Sequence, residues 1–177
     1  MVLVQLSEFA ERNQQSRFID LADKYICKDS DVETFLKTKA LDSELRHRSR
    51  TYLTLDDNAT HILAYFTLAL KTLTLGDNVS SNVRKRLDGF SKDTSSIASV
   101  LIGQFGKDAI AATGIPGNVF MNQCLGISLE IRKAIGGRFV WLECYPIKQV
   151  VDFYIRNGFR YLQTDLNDMY QQMFFLL

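Results

Sequence analysis

The chain has 177 residues, 46% of them hydrophobic, so it is long enough to bury the core of one globular domain. Its 21 lysines and arginines offset 20 aspartates and glutamates, and this balance does not indicate a nucleic-acid-binding or membrane-surface protein. Three cysteines without metal-ligand spacing, and no basic-then-apolar leader, predict no disulfide framework, no zinc site and a cytoplasmic location.

The first third of the chain carries one strand pattern followed by two helix patterns. An apolar run at 2–6 predicts an opening strand, and apolar residues at helical spacing predict helices over about 16–26 and 30–41. The second helix begins at a capping-box pattern, in which the Ser30 side chain would accept from the Glu33 amide.

A hairpin and an irregular excursion follow. Runs rich in β-forming residues at 50–55 and 62–70 flank a polar turn, which predicts two antiparallel strands. The second run is about half the length that a membrane-spanning helix needs, so no membrane partner is expected. Residues 74–94 carry no clear periodicity and include the basic run Arg84-Lys85-Arg86.

A strand, a glycine-bearing turn and a long helix come next. The apolar run at 97–102 predicts a strand that continues into Gly103-Gln104-Phe105-Gly106-Lys107-Asp108. Pro116 suits the first turn of a helix, because its missing amide hydrogen is not needed there. The apolar stripe that follows predicts a helix of about twenty residues, which Gly136-Gly137 ends.

The last part of the chain repeats this alternation on a smaller scale. Residues 139–142 are almost all apolar and predict a strand that is covered on both faces. An apolar stripe from Ile147 to Tyr154 predicts a short helix that Asn157-Gly158 terminates, and β-forming runs at 161–163 and 169–177 predict two final strands.

The resulting order, β-α-α-β-β-β-α-β-α-β-β, predicts one domain over residues 1–177. A mixed central sheet of about six or seven strands would be flanked by about four helices. With this order, and with Phe153-Tyr154-x-x-Asn157-Gly158-Phe159 near its end, the chain resembles the GNAT acyl-CoA N-acyltransferases. The resemblance covers nearly the whole chain and implies the α/β fold of that family.

The resemblance also implies an acetyltransferase that moves an acetyl group from acetyl-CoA to a primary amine by direct attack. In that family a helix amino terminus holds the diphosphate, since its amide hydrogens and its dipole favour an anion. A backbone amide at a splay in the fourth strand stabilises the oxyanion, and in many members a tyrosine on the last helix is the general acid.

Carried onto this chain, the resemblance places acetyl-CoA at two segments. The amides of Phe105 and Lys107, on either side of Gly106, are the candidates for binding the thioester and the pantetheine arm. The loop before the long helix supplies the candidates for binding the diphosphate, which are Gly114, Ile115, Gly117, Asn118 and Val119.

This loop departs from the family signature. Ala112 stands where the family has glutamine or arginine, Ile115 stands where it has glycine, and only Gly117 matches. The alternative is an ordinary turn between strand and helix, with a helix-starting proline.

Two side chains are the predicted catalytic residues. Tyr154 would protonate the leaving thiolate, and Glu143 would act as a base or position water for the incoming amine. Each has a structural alternative, because Tyr154 continues the apolar stripe of its helix and Glu143 would also suit a solvated strand end.

A finer resemblance concerns the segments at 32–41, 49–53 and 62–68, which look like the toxin-type GNAT subfamily. Those proteins acetylate the amine of aminoacyl-tRNA and are neutralised by an antitoxin. An RNA substrate requires local cations, for which Arg46-His47-Arg48-Ser49-Arg50 and Arg84-Lys85-Arg86 are the candidates, and solvated basic faces are the alternative.

Three functions therefore remain open. The chain is an acetyltransferase for an amine on a small molecule or a protein, a toxin-type enzyme acting on aminoacyl-tRNA with an antitoxin partner, or a GNAT-fold binding protein with lost catalysis. The apolar carboxyl terminus at 173–177 would either complete the core or pair two chains in a homodimer.

Overall fold

The structure is a computed structural model that describes residues 1–165, 167 and 169–177. The strands found in these residues are β1 (Val2–Gln5), β2 (Arg50–Leu55), β3 (Ile62–Thr74), β4 (Ser96–Lys107), β5 (Phe139–Cys144), β6 (Arg160–Thr164) and β7 (Gln171–Leu176). They form one mixed sheet in the order β1-β2-β3-β4-β5-β7-β6, which confirms the predicted fold class.

Seven helices occur within the described residues, where about four were predicted. They are α1 (Ser7–Glu11), α2 (Gln15–Lys24), α3 (Ser30–Thr38), α4 (Ala40–Leu45), α5 (Ser81–Asp88), α6 (Gly117–Ile135) and α7 (Lys148–Arg156). The three additional helices are α1, α4 and α5, which have five, six and eight residues. Helices this short show too few turns for an apolar stripe to be recognised in the sequence.

The amino-terminal cap of α3 differs from the predicted one. Asp29 is the capping residue, and its side chain accepts from the amides of Asp31 and Val32. The Glu33 carboxylate accepts from the amide of Cys27 at 2.8 Å instead of reaching back to Ser30, which lies inside the helix. The cap therefore lies one residue earlier than predicted, and the helix begins at Ser30 with the same capping chemistry.

The chain divides into two compact units, and the first comprises residues 1–69 and 103–124. Its main core packs α1 to α4 against β2 and β3 through buried side chains that include Phe18, Tyr25, Leu36, Leu53 and Tyr65. A buried carboxylate, Glu44, accepts from the amide of Thr51 at 2.7 Å and from Arg50 at 2.9 Å. The predicted hairpin of β2 and β3 is confirmed in antiparallel register.

The second unit comprises residues 70–102 and 125–177. Its core is formed by buried side chains from β3, α5 and the last three strands of the sheet, among them Leu73, Leu87, Phe139, Trp141, Leu162 and Phe174. Strand β7 pairs with β5 on one side and β6 on the other, and Met173 is fully buried. The apolar carboxyl terminus therefore completes this core.

Helix boundaries around the predicted site match the sequence analysis closely. Helix α6 begins at Gly117, directly after Pro116, and ends before Gly136 and Gly137, which both adopt positive φ. Helix α7 ends before Gly158, whose φ is +88° and whose missing side chain leaves room for the Phe175 ring. No helix in the described part of the chain combines the length and apolar character needed to cross a lipid bilayer.

Candidate functional site

The two backbone amides of β4 that the sequence predicts to bind the thioester are those of Phe105 and Lys107. The amide of Asp108 donates to the carbonyl of Leu63 at 2.8 Å. Because successive amides of a strand point to opposite edges, those of Phe105 and Lys107 share a direction that differs from that of Asp108. Parallel pairing of β4 with β5 is confined to Val100–Ile102, whereas β4 itself continues to Lys107. The role of these two amides in binding the thioester stays a prediction.

The loop after β4 is held by the carboxylate of Asp108, which is almost completely buried. Its Oδ1 atom accepts from the amides of Ile110 and Ala111 at 2.7 and 2.6 Å. Its Oδ2 atom accepts from the amide of Ile26 at 2.8 Å. This carboxylate ties the start of the loop to the segment that follows α2. Sequence reasoning treated Asp108 only as the end of the glycine turn and missed this role.

The five predicted loop amides fall into two groups. The amide of Ile115 donates to the carbonyl of Ala112 and that of Val119 donates to Pro116, both at 3.1 Å. The amides of Gly114, Gly117 and Asn118 have no hydrogen-bond acceptor among the described residues. The helix amino terminus thus keeps adjacent donors for an anion at Gly117 and Asn118.

The side chain of Lys107 contacts this loop from the strand side. Its ammonium donates to the carbonyl of Ile115 at 2.8 Å and to that of Ala112 at 3.4 Å. The carbonyls of Ala112 and Ile115 are therefore turned toward the Lys107 ammonium. This positive charge contacts the loop that precedes α6, and a positive charge near the start of that helix favours an anionic ligand.

The two departures from the family signature have a packing explanation. Ala112 is fully buried with Leu63, Ala64 and Phe120, and Ile115 packs against the same cluster. These side chains therefore fill the core of the first unit. Gly106 is also explained by packing, since a Cβ there would lie 2.6 Å from a methyl group of Val32.

Tyr154 lies on α7 in the second unit and is 8% exposed. Its ring packs edge-on against Phe153 and Phe159, with centroids 5.3 and 5.6 Å apart. The FYxxNGF segment is thus an aromatic cluster that fixes the position of one phenol. The geometry agrees with both predicted readings of Tyr154, because a packed ring can also present its hydroxyl to a ligand.

Glu143 lies on β5 and is the exposed end of a chain of hydrogen bonds in the second unit. Its carboxylate accepts from the side-chain amide of Gln172 at 2.8 Å, and Gln172 accepts from Gln163 at 2.6 Å. Gln163 also donates to the carbonyl of Thr74 and accepts from the amide of Gly76, both at 2.8 Å. These buried glutamines orient the carboxylate, and no sequence signal connects them.

The three cysteines are poorly suited to form an acyl-enzyme intermediate. Burial raises the pKa of the Cys27 and Cys124 thiols, and it raises that of Cys144 to about 11. All three are therefore protonated at neutral pH, whereas the thiolate is the nucleophilic form. This agrees with transfer by direct attack. Among the described residues, no three histidine, cysteine or acidic side chains come together as a metal site would require.

Both basic runs are partly occupied by internal contacts. In the first, Arg46 pairs with Asp42 at 2.6 Å and Arg50 pairs with the buried Glu44. In the second, the Arg84 side chain donates to the carbonyls of Gly76, Val79 and Thr94, at 2.6, 2.9 and 2.6 Å. Arg84 is therefore a structural residue, and Lys85 and Arg86 are the exposed cations of that run.

A cavity of about 380 Å³ lies in the first unit and contains none of the predicted site residues. Its lining is Lys24, Ile26, Asp56, His61, Leu63, Asp108, Ile110 and Ala111. Both of its carboxylates accept backbone hydrogen bonds, and the amide of His61 is the main cause that lowers the pKa of Asp56. The acids of this cavity therefore serve to hold turns.

Comparison with known proteins identifies the fold. No family model and no curated protein matches the chain. The solved structure of AtaT complexed with acetyl-methionyl-tRNAfMet is similar to it, with a TM-score of 0.76 and 18% identity over 99% of this chain and 94% of that one. The chain has the GNAT fold.

Two further structures support this GNAT fold. A KacT variant with phenylalanine in place of a tyrosine has a TM-score of 0.76 and 19% identity, over 99% of this chain and 94% of that one. AtaTR bound with AcCoA has a TM-score of 0.69 and 18% identity, over 99% and 92%. At these identities the likeness concerns the fold alone, since one fold can support different chemistries.

Proposed function

We propose that the chain is an acetyl-CoA-dependent N-acetyltransferase that acts on a primary amine. The observation that carries this proposal is the set of backbone donors near the start of α6, where the amides of Gly117 and Asn118 have no acceptor among the described residues. A diphosphate fits such donors, because helix dipole and hydrogen bonds then act on the same anion. The thioester of acetyl-CoA supplies the activated acetyl group.

Each predicted site residue has one role in this proposal. The amides of Phe105 and Lys107 stabilise negative charge on the acyl oxygen, and Gly106 lets α3 approach the strand that carries them. The loop amides of Gly114, Gly117 and Asn118 hold the diphosphate, whereas those of Ile115 and Val119 maintain the loop itself. We therefore assign three of the five predicted loop amides to the diphosphate.

Proton transfer is assigned to the two predicted catalytic side chains. Tyr154 gives a proton to the departing thiolate, as a phenol fixed by its aromatic neighbours can do. Glu143 accepts the proton that the amine must lose, directly or through a water molecule. The hydrogen bond from Gln172 orients this carboxylate.

Aminoacyl-tRNA is the acceptor that the comparisons favour. The AtaT structure holds acetyl-methionyl-tRNAfMet, and another neighbour is the AtaT–AtaR complex bound to DNA. The latter has a TM-score of 0.68 and 18% identity over 99% of this chain and 94% of that one. By analogy we propose the amine of aminoacyl-tRNA as the acceptor and an antitoxin as the partner.

The proposed function is tested by incubating the protein with acetyl-CoA and a panel of amines that includes charged tRNA. We expect release of free coenzyme A thiol that depends on the acceptor, together with an acetylated amine detected by mass spectrometry. The proposal would be contradicted if no acceptor increased the rate of thiol release and no acetylated product formed. Acetylation of small amines alone would retain the enzyme and exclude the tRNA acceptor.

Replacing Lys107 with methionine should weaken binding of acetyl-CoA. The substitution keeps most of the length of the side chain but removes the charge and the hydrogen bonds to the carbonyls of Ile115 and Ala112. We expect the Kd to rise about tenfold, the size of one lost charge-assisted hydrogen bond. Calorimetry measures this, with Lys133→Met as a control, because Lys133 is exposed and pairs with Glu130 on α6. An unchanged Kd for Lys107→Met would show that the contacts of Lys107 with the loop carbonyls do not support cofactor binding.

Replacing Glu143 with glutamine should lower turnover without unfolding the protein. The new side-chain carbonyl can still accept from Gln172, so only the proton acceptor is lost. We expect turnover to fall about tenfold, while the affinity for acetyl-CoA stays unchanged. The turnover is compared with that of Glu130→Gln, an exposed carboxylate on α6. Equal turnover for wild type and Glu143→Gln would exclude Glu143 as the proton acceptor.

A further inference from the structure

A phenylalanine in the second unit is presented to solvent by a loop of fixed conformation. Phe90 is 92% exposed and directly follows Gly89, which ends α5 with a φ of +90°. The Asp88 carboxylate accepts from the amides of Phe90 and Ser91 at 3.1 and 2.6 Å. The ring therefore stands at the tip of an ordered turn and packs into no core.

Four exposed cations lie near this tip, three of them close in sequence and one through a contact with Gly89. Lys85 and Arg86 lie on the last turns of α5, and Lys92 follows the tip by two residues. Arg138 packs over Gly89, since a Cβ placed there would lie 2.8 Å from its side chain, and it donates to the carbonyl of Arg86 at 3.3 Å. We call Lys85, Arg86, Phe90, Lys92 and Arg138 the Phe90 surface.

The segment that carries the Phe90 surface is held by hydrogen bonds and by one buried side chain. Arg84 holds three carbonyls on both sides of α5, and the Ser80 side chain caps the first turn by accepting from the amide of Val83. Leu87 anchors the helix in the core of the second unit. A surface ordered in advance loses little conformational entropy when it binds a partner.

The chemistry of the surface matches single-stranded RNA. An exposed aromatic ring provides a stacking platform for an unpaired base, and flanking lysines and arginines contact phosphates. The carboxylate of Asp88 is engaged by two backbone amides and therefore belongs to the turn. A hot spot of a protein interface usually lies in a well-packed, desolvated pocket, whereas the apolar part of the Phe90 surface is one ring that is 92% exposed.

We propose that the Phe90 surface binds a single-stranded segment of RNA, with an unpaired base stacked on Phe90 and phosphates contacted by the four cations. This inference rests on the proposed function for the identity of that RNA, which would be the RNA that carries the acceptor amine. The binding itself requires neither acetyl-CoA nor turnover, so it can be measured separately.

The test is fluorescence anisotropy with the intact protein and three labelled probes: unfractionated tRNA, a single-stranded RNA oligonucleotide and an RNA duplex, all without acetyl-CoA. We expect the single-stranded probe and the tRNA to bind more tightly than the duplex. Phe90→Ala should weaken binding to both about tenfold, as for the loss of one stacked base. Because Phe90 is exposed, the thermal midpoint of this variant should stay unchanged.

Charge variants provide the second arm of the test. The double variant Lys85→Gln, Arg86→Gln should weaken binding and reduce the slope of log Kd against log salt by about two phosphate contacts. Ile135→Ala is the control for an exposed apolar side chain, and Lys133→Gln is the control for an exposed cation, so both should bind as wild type.

Three results would overturn the inference. Equal affinity of wild type and Phe90→Ala for the single-stranded probe would exclude stacking, and an unaltered salt slope in the double variant would exclude phosphate contact. No RNA binding together with Phe90-dependent binding of an antitoxin would assign the surface to a protein. Acetylation of a small amine that survives in Phe90→Ala, with RNA binding lost, would leave the proposed enzyme intact and confirm the inference.

Discussion

Replacing Tyr154 with phenylalanine is expected to lower turnover about 100-fold and to leave the affinity for acetyl-CoA unchanged. A positioned general acid typically contributes at least this factor. The ring contacts with Phe153 and Phe159 would persist in the variant, since they involve the faces and edges of the aromatic rings and not the hydroxyl. Fold and cofactor binding should therefore survive the loss of the proton donor.

The measurement combines steady-state kinetics with calorimetry on the same preparation. Tyr161→Phe is a matched control, because Tyr161 is half exposed and its hydroxyl contacts only the Thr164 side chain among the described residues. Turnover of Tyr154→Phe equal to that of this control would make Tyr154 a packing residue. A tenfold or greater loss of acetyl-CoA affinity would instead indicate that the hydroxyl contributes to binding.

Replacing Arg84 with alanine should destabilise the protein by about 2–4 kcal/mol, because three backbone carbonyls lose a charged donor. Those carbonyls, of Gly76, Val79 and Thr94, belong to segments before and after α5. Arg84→Lys should also be destabilising, by about 1–2 kcal/mol, since one ammonium cannot reproduce the guanidinium fork. The charge of Arg84 alone therefore does not account for its stabilising effect.

Urea denaturation of the two Arg84 variants, and of Lys85→Ala as a control, measures this effect. Lys85 is exposed on the same helix, so its removal should change the free energy of unfolding by less than about 0.5 kcal/mol. If Arg84→Ala is as stable as Lys85→Ala, the three hydrogen bonds contribute nothing in solution. Replacing the whole basic run at once would mix this structural effect with any loss of RNA contacts.

The sequence predicts the regular parts of the fold because their signals are local and repeated. The apolar stripe of α6 runs over five turns, and glycines that adopt positive φ end both α6 and α7. The β2–β3 hairpin follows from two β-forming runs around a polar turn. These elements fix the fold class without information about distant contacts.

Local competition explains the smaller differences. At α3, Asp29 and Ser30 are adjacent and both suit a cap, and the structure uses the aspartate. At the loop before α6, the amides of Ile115 and Val119 are consumed by carbonyls three residues earlier. Such choices depend on backbone geometry that side-chain identity does not specify.

Long-range partners are the part of the candidate site that no sequence pattern contains. Gln172 meets Glu143 across a strand pair, 29 residues away, and Arg138 meets the carbonyl of Arg86 at a separation of 52 residues. The role of Arg84 was hidden for the same reason, because a basic run looks alike whether it faces solvent or backbone carbonyls. These contacts follow only once the sheet order is known.

Calorimetric titration of acetyl-CoA into the intact wild-type chain is the decisive test of cofactor binding. We expect saturable one-to-one binding that is weakened about tenfold in Lys107→Met, because this variant lacks the ammonium that contacts the loop carbonyls. Absence of detectable heat and of competition with a labelled coenzyme A, at near-millimolar ligand, would contradict it. The GNAT fold would then belong to a protein that does not use this cofactor.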